Sequence, residues 1–177
     1  MRIAVYGGSF NPPHVGHGLV AAWLRWTERA DEVWLLPCFD HPFEKEMASF
    51  EHRVAMCREL AVAVGPWVKV NEVERTLPSP SFTIDTLDAL AGSHPEHRFR
   101  WVLGADLLPT VGRWKRWDRI EAEYSPIVVG RGGYTGPSDA LVFPDVSSTE
   151  IRRRVRSGEP IDHLVPAGVA RLMVSRN

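Results

Sequence analysis

His14 and His17 stand three residues apart, behind two glycines, Gly7 and Gly8, and two prolines, Pro12 and Pro13. The stretch reads GGSFNPPHVGH over 7–17 and follows the apolar run RIAVY. Gly7 and Gly8 carry no side chain, so they are expected to let the backbone approach a ligand and to take positive φ. Asn11-Pro12-Pro13 forces an extended or turned path, and a helix is predicted to start near 14–16. The first amides of a helix lack internal partners and carry the positive end of its dipole. That is a natural anion site. Two imidazoles on one face of the first turn can add hydrogen bonds to phosphate oxygens.

Other chemistries fit the same residues less well. A zinc site with Cys38 and His41 lacks the usual paired spacing of ligands. Gly16-His17-Gly18-Leu19-Val20-Ala21 fits the dinucleotide pattern G-x-G-x-x-A, but the preceding strand, 2–6, ends ten residues earlier. Those glycines are therefore not its turn. No Gly-Lys-Ser/Thr of a Walker A loop occurs.

A second anion site is expected near the other end, in VSSTEIRRR over 146–154. Ser147 and Glu150 have capping-box spacing, with Ser147 as the N-cap. The amides of Ser148 and Thr149 would then point out of the helix, with Arg152 on the adjoining turn. A helix start beside a guanidinium fork suits the terminal phosphates of a nucleotide. Arg153, Arg154 and Arg156 read as a solvated basic face.

The elements that must hold these sites are short. Apolar runs at 2–6, 32–37, 67–70, 99–104 and 125–130 read as buried strands, with a further short one at 141–143. Helical spacing predicts helices over 18–29, 50–64 and 82–90, and two more starting near Ser147 and Pro166. In the first of these, Leu19, Ala22, Trp23 and Trp26 are expected to share the buried face. Strand–helix alternation predicts an α/β fold. It is Rossmann-like and doubly wound, a mainly parallel sheet of five to six strands with helices on both faces. Ligands in such sheets bind beyond the carboxyl ends of the strands.

The chain has 177 residues and a net charge of −1, which suggests one domain, 1–177. The charge balance excludes a general nucleic-acid binder. No apolar run approaches a membrane span, and the start MRIAVYGG is too short to be a signal peptide. A cytoplasmic protein is expected, with Cys38 and Cys57 as reduced core thiols.

Together, GSFNPPHVGH and SSTEIR resemble the H-x-G-H and S-S-T-x-I-R signatures of the nucleotidylyltransferase superfamily. Three further stretches resemble the nicotinate mononucleotide adenylyltransferases: SPSFTIDTL over 79–87, GADLLPTVGRW over 104–114, and FEHRVAMCRELA over 50–61. The resemblance spans essentially the whole chain. It implies AMP transfer from ATP to nicotinate mononucleotide, with pyrophosphate released and Mg²⁺ arriving with ATP. It implies catalytic roles for His14, His17 and Arg152. ATP contacts are implied at Gly7, Gly8, Ser9, Phe10, Gly104, Asp106, Ser148 and Thr149. Acceptor contacts are implied at Asn11, His41, Lys45, Thr83 and Trp114. The chain departs from that family at Asn11, where aspartate is usual, and at Phe82, where tyrosine is usual. It departs most in PCFDHPFEKEM over 37–47, which replaces a Pro-His-Lys segment. Either His41 or Lys45 can fill that role, and Trp117 competes with Trp114 for the ring. A related acceptor, nicotinamide mononucleotide or phosphopantetheine, stays open. So does a non-catalytic nucleotide binder, and so does a homo-oligomer. Neither nucleic acid nor membrane is expected as a partner.

Overall fold

Runs of β-branched, aromatic and leucine side chains between Gly- and Pro-rich turns leave few options but buried strands. The computed structural model describes residues 1–40, 47–131 and 142–174, and six strands lie among them. They are β1 (Arg2–Gly8), β2 (Glu32–Pro37), β3 (Val68–Val70), β4 (Arg98–Gly104), β5 (Ile127–Arg131) and β6 (Val142–Phe143). They form one sheet in the order β3-β2-β1-β4-β5-β6, and every pairing is parallel. This is the doubly wound order expected from the alternation of elements. The direction of winding reverses between β1 and β4, so the loops after these two strands open onto a crevice.

Side chains alternate across the sheet, as strand geometry requires. Ala4, Val33, Leu35 and Val102 face α1 (Val15–Trp26) and α2 (Phe50–Val64), packing on Val20, Leu24, Cys57 and Leu60. Ile3, Val5, Leu36, Phe99 and Leu103 face α3 (Thr83–Ser93) and α4 (Trp117–Tyr124), packing on Ile84, Leu87, Leu90 and Ile120. A third cluster ties Met56 of α2 to Ile151 of α5 (Ser148–Arg156) and Val169 of α6 (Ala167–Val174). Ile151 is fully buried, which contributes about 1.5–3 kcal/mol. It anchors the helix that carries Arg152.

Two expectations need correction. The buried residues of α1 are Gly16, Gly18, Val20, Ala21, Ala22 and Leu24; of the four expected, Ala22 is buried and Trp23 packs on the core, whereas Leu19 is 45% and Trp26 76% exposed. The reason is close helix–helix approach. A Cβ at Gly18 would stand 3.1 Å from Val64 Cγ2 of α2, so a glycine takes the inner face at the point where the two helices approach. The second correction concerns Gly7 and Gly8. They are the last residues of β1 and neither has positive φ. A Cβ at Gly7 would run into the Trp101 ring of β4, and one at Gly8 would touch Phe10 at 3.4 Å. The left-handed residue of this turn is Phe10, at φ 46°.

Gly7→Ala is expected to cost about 1–3 kcal/mol of stability, since overpacking against Trp101 forces a shift. Urea denaturation reads this directly, and an unchanged unfolding midpoint would contradict the contact.

Candidate active site

The loop after β1 is held by its own aromatic residue. Phe10 is almost wholly buried and packs edge-on to Tyr6 with centroids 5.8 Å apart. Its ring also lies 4.9 Å from that of His17. A non-glycine residue at positive φ costs energy, and this burial holds it there. Phe10 thus supports the imidazole through a core contact.

His14 is the N-cap of α1 and His17 lies in its first turn. The backbone N–H of His14 donates to His17 Nδ1 at 3.1 Å. A neutral His17 ring therefore carries its proton on Nε2, the nitrogen it can donate from. The two rings lie 3.8 Å apart, centroid to centroid. Gly16, the glycine between the two histidines, makes room for this: a Cβ there would stand 3.0 Å from His14 Nδ1.

The rear motif meets this loop directly. Ser147 caps α5 by accepting the Glu150 N–H at 3.2 Å. Ser148 Oγ donates to the Pro12 carbonyl at 2.9 Å, and Arg152 Nη1 donates to the Asn11 carbonyl at 2.6 Å. The other end of the guanidinium, Nη2, donates to Thr149 Oγ1 at 3.3 Å. Partial burial and the nearby Arg156 push the Arg152 guanidinium below its ordinary value. A cation under that pressure is suited to an anionic partner. The Glu150 carboxylate pairs with Arg153 and Arg154, so the expected solvated basic face is partly neutralised.

Beyond β4, the chain turns into a 3₁₀ helix over Ala105–Arg113. Gly104 precedes it, and a Cβ there would meet the Asp106 carboxylate unless that side chain turned away. Thr83 opens α3 with Phe82 as its N-cap. Trp114 packs edge-on to Trp117, centroids 5.8 Å apart. Lys115 joins the two regions: its ammonium pairs with Asp85 at 2.8 Å and lies 4.9 Å from the Phe82 ring centroid. Lys115 thereby ties the segment that carries Trp114 to the start of α3, where Thr83 lies. His41 and Lys45 lie outside the described residues.

The sequence reading missed the group that locks the loops together. Arg53 of α2 is 1% exposed. Its Nη1 donates to the Ser9 carbonyl at 2.9 Å and its Nε to the Ala48 carbonyl at 3.0 Å. Ala48 in turn donates its N–H to Asn11 Oδ1 at 3.3 Å. Arg53 falls at helical spacing with Phe50, Val54 and Cys57, an arginine on an apolar stripe, and that was the available signal. Glu74 plays a matching part: its carboxylate accepts the Phe39 N–H at 3.0 Å and the Thr86 hydroxyl at 3.4 Å. Burial pushes its carboxyl above the ordinary value, and burial likewise raises the Cys38 thiol beside Arg53.

Residues 5–154 match the sequence model of the family described as Cytidylyltransferase-like. A protein of Anaeromyxobacter sp. (strain K), named "Probable nicotinate-nucleotide adenylyltransferase", is 48% identical over 172 residues, covering 96% of this chain and 92% of the relative. One of the same name from Bacillus pumilus is 36% identical, covering 96% and 94%. Among solved structures, the nicotinic acid mononucleotide adenylyltransferase of Plasmodium falciparum, complexed with NaAD, superposes with a TM-score of 0.81. At 20% identity, over 99% of this chain and 96% of that one, it shows a shared fold.

Arg53→Met should lower stability by about 1–3 kcal/mol for each carbonyl left without a donor, with the secondary structure retained in circular dichroism. Wild-type stability in that variant would remove Arg53 as the loop clamp. For Glu74 the sign follows from its raised value. The folded protein keeps a proton that the unfolded chain releases, so stability falls as pH rises from about 4.3 through the folded value. Glu74→Gln is expected to flatten that fall, and chemical denaturation at several pH values checks it.

Proposed function

The chain belongs to the nicotinate-nucleotide adenylyltransferase family, within the cytidylyltransferase-like nucleotidyltransferases, and on that premise we propose how it works. It transfers AMP from ATP to nicotinate mononucleotide and releases pyrophosphate. The observation that supports this most is the convergence of the two helix starts: Arg152 and Ser148 bond to the loop that carries His14 and His17. The reading takes 1–177 as one catalytic domain.

The acceptor's phosphate has a second pKa near ~6, so it is mostly dianionic at neutral pH and attacks without a general base. The remaining task is to position two anions in line and to absorb charge. His17, with its proton on Nε2, donates to an α-phosphoryl oxygen as charge builds. His14, Arg152 and the amides at Ser148 and Thr149 hold the departing pyrophosphate. The backbone at Gly7, Gly8 and Ser9 forms the floor under the phosphates, and Phe10 keeps the His17 ring in place. Gly104 and Asp106 face the ribose of ATP. Asn11, Thr83 and Trp114 take the mononucleotide, with His41 or Lys45 completing its phosphate site.

Imidazoles, a guanidinium and amides suit anions better than a hard cation. A Mg²⁺ ion arriving with ATP would be held by substrate oxygens and water rather than by these side chains, and would supply neutralisation of phosphate charge. No helix among the described residues is long and apolar enough to cross a membrane, and both substrates are small polar anions.

One turnover assay with ATP and a panel of acceptors tests the reading. Pyrophosphate release with nicotinate mononucleotide is expected to exceed that with nicotinamide mononucleotide or phosphopantetheine. A preference for either of those reassigns the acceptor, and no release with any makes the chain a nucleotide binder. His17→Ala should lower kcat by about 10²–10³, the scale of losing one transition-state donor, with the fold intact. An unchanged kcat would take His17 out of the mechanism. Trp114→Phe should abolish the fluorescence response to the mononucleotide. A surviving response assigns the ring to Trp117.

A further inference from the structure

The turn between α3 and β4 brings together side chains that the transfer reaction does not use. It reads His94-Pro95-Glu96-His97. His94 is the C-cap of α3, and β4 begins directly after His97. Thr83, at the other end of α3, is roughly 16 Å away along the helix axis, so the turn lies at the opposite end of the sheet from the crevice.

His94 Nδ1 lies 3.8 Å from Glu96 Oε1, and His97 Nε2 lies 3.3 Å from the same oxygen. All three candidate donor atoms fall within 4.8 Å of one another. A tetrahedral ion with bonds of ~2.0–2.1 Å sets neighbouring donors about 3.3 Å apart. One of the measured spacings equals that value and another exceeds it by half an ångström. The imidazole centroids are 5.7 Å apart, and two rings that share one ion stand roughly 5–6 Å apart. Closing the set draws in donors that stand up to 4.8 Å apart, by rotation of side chains.

The rings are also held before any ion arrives. Trp34 of β2 packs edge-on to His94 at 5.1 Å and to His97 at 6.0 Å. The indole is itself fixed, since its Nε1–H donates to Glu32 at 2.9 Å. His97 is only 12% exposed, and its Nδ1 is buried without a hydrogen-bond partner among the described residues. Nε2 is thus the nitrogen that this ring presents to Glu96. The two imidazoles therefore have less ordering entropy left to lose, and the exposed Glu96 carries most of what remains.

We propose that His94, Glu96 and His97 form a binding site for a divalent transition-metal ion of the zinc class, with water in the fourth position. Two imidazoles and one carboxylate suit zinc, copper or nickel better than magnesium or calcium. The ion would clasp the end of α3 to the start of β4, a stabilising role independent of the adenylyl-transfer reading.

The test uses the full chain, metal-free, titrated with Zn²⁺ by calorimetry beside the variant His94→Ala/Glu96→Gln. Glu96 is exposed and His94 half-buried, with side chains 62% and 39% exposed, so the variant should fold, and its turnover should match wild type. Wild type is expected to bind one more equivalent of Zn²⁺ than the variant, or to bind it roughly tenfold or more tightly. Equal stoichiometry and affinity in the two proteins would overturn the site. Cu²⁺ gives a second reading, because an ion there lies close to the Trp34 indole. Cu²⁺ should quench part of the tryptophan emission in wild type, and Trp34→Phe should remove that part. Quenching that survives Trp34→Phe unchanged would also count against the site.

Discussion

The hydrogen bonds from Ser148 and Arg152 to the carbonyls of Pro12 and Asn11 hold the candidate site in shape. Each motif alone is a helix start with orphan amides, a feature present in most α/β proteins. Their junction makes one cradle with donors on both sides. A guanidinium that spends one nitrogen on a backbone carbonyl is fixed in direction, and fixed donors are what a developing charge requires. Ile151, buried beside Arg152 in sequence, turns that local bond into a consequence of the third hydrophobic cluster.

Arg53 does from below what Arg152 does from the side. Its guanidinium ties the carbonyl after β1 to the carbonyl just before α2, so two loops at neighbouring strand ends move as one. Its burial is tolerable because both contacts are charge-assisted and the polarisable ring of Phe50 lies 5.7 Å away. On the far edge, Lys115 and Asp85 connect the start of α3 to the Trp114 segment. That pair is exposed and contributes little to stability, yet it links two segments assigned to the same substrate.

Much of this was legible in the sequence, for physical reasons that differ by element. The bounds of β2 and α2 agree with expectation because both are uniform in pattern and sharply flanked. The starts of α1 and α5 were legible because caps are local chemistry. The inner face of α1 was not, since residue size alone favoured Trp26 and Leu19 over Gly18. Only the neighbouring helix, Leu60 and Val64, decides between them. The helix Trp117–Tyr124 escaped because eight residues carry just two turns of pattern, although Trp117, Ile120 and Tyr124 share its inward face. Arg53 escaped because an arginine on a helix reads as solvated unless its apolar neighbours are counted with it.

The junction that shapes the cradle also has a temporal meaning. Its two hydrogen bonds join residues 136 and 141 positions apart, among the most distant contacts this chain makes. Contacts of such separation form late, after their loop-closure entropy has been met. A nascent chain emerging from the ribosome displays the histidine loop long before α5 exists to brace it. A chain that has made the histidine loop but not yet α5 therefore lacks the brace that fixes these donors in direction.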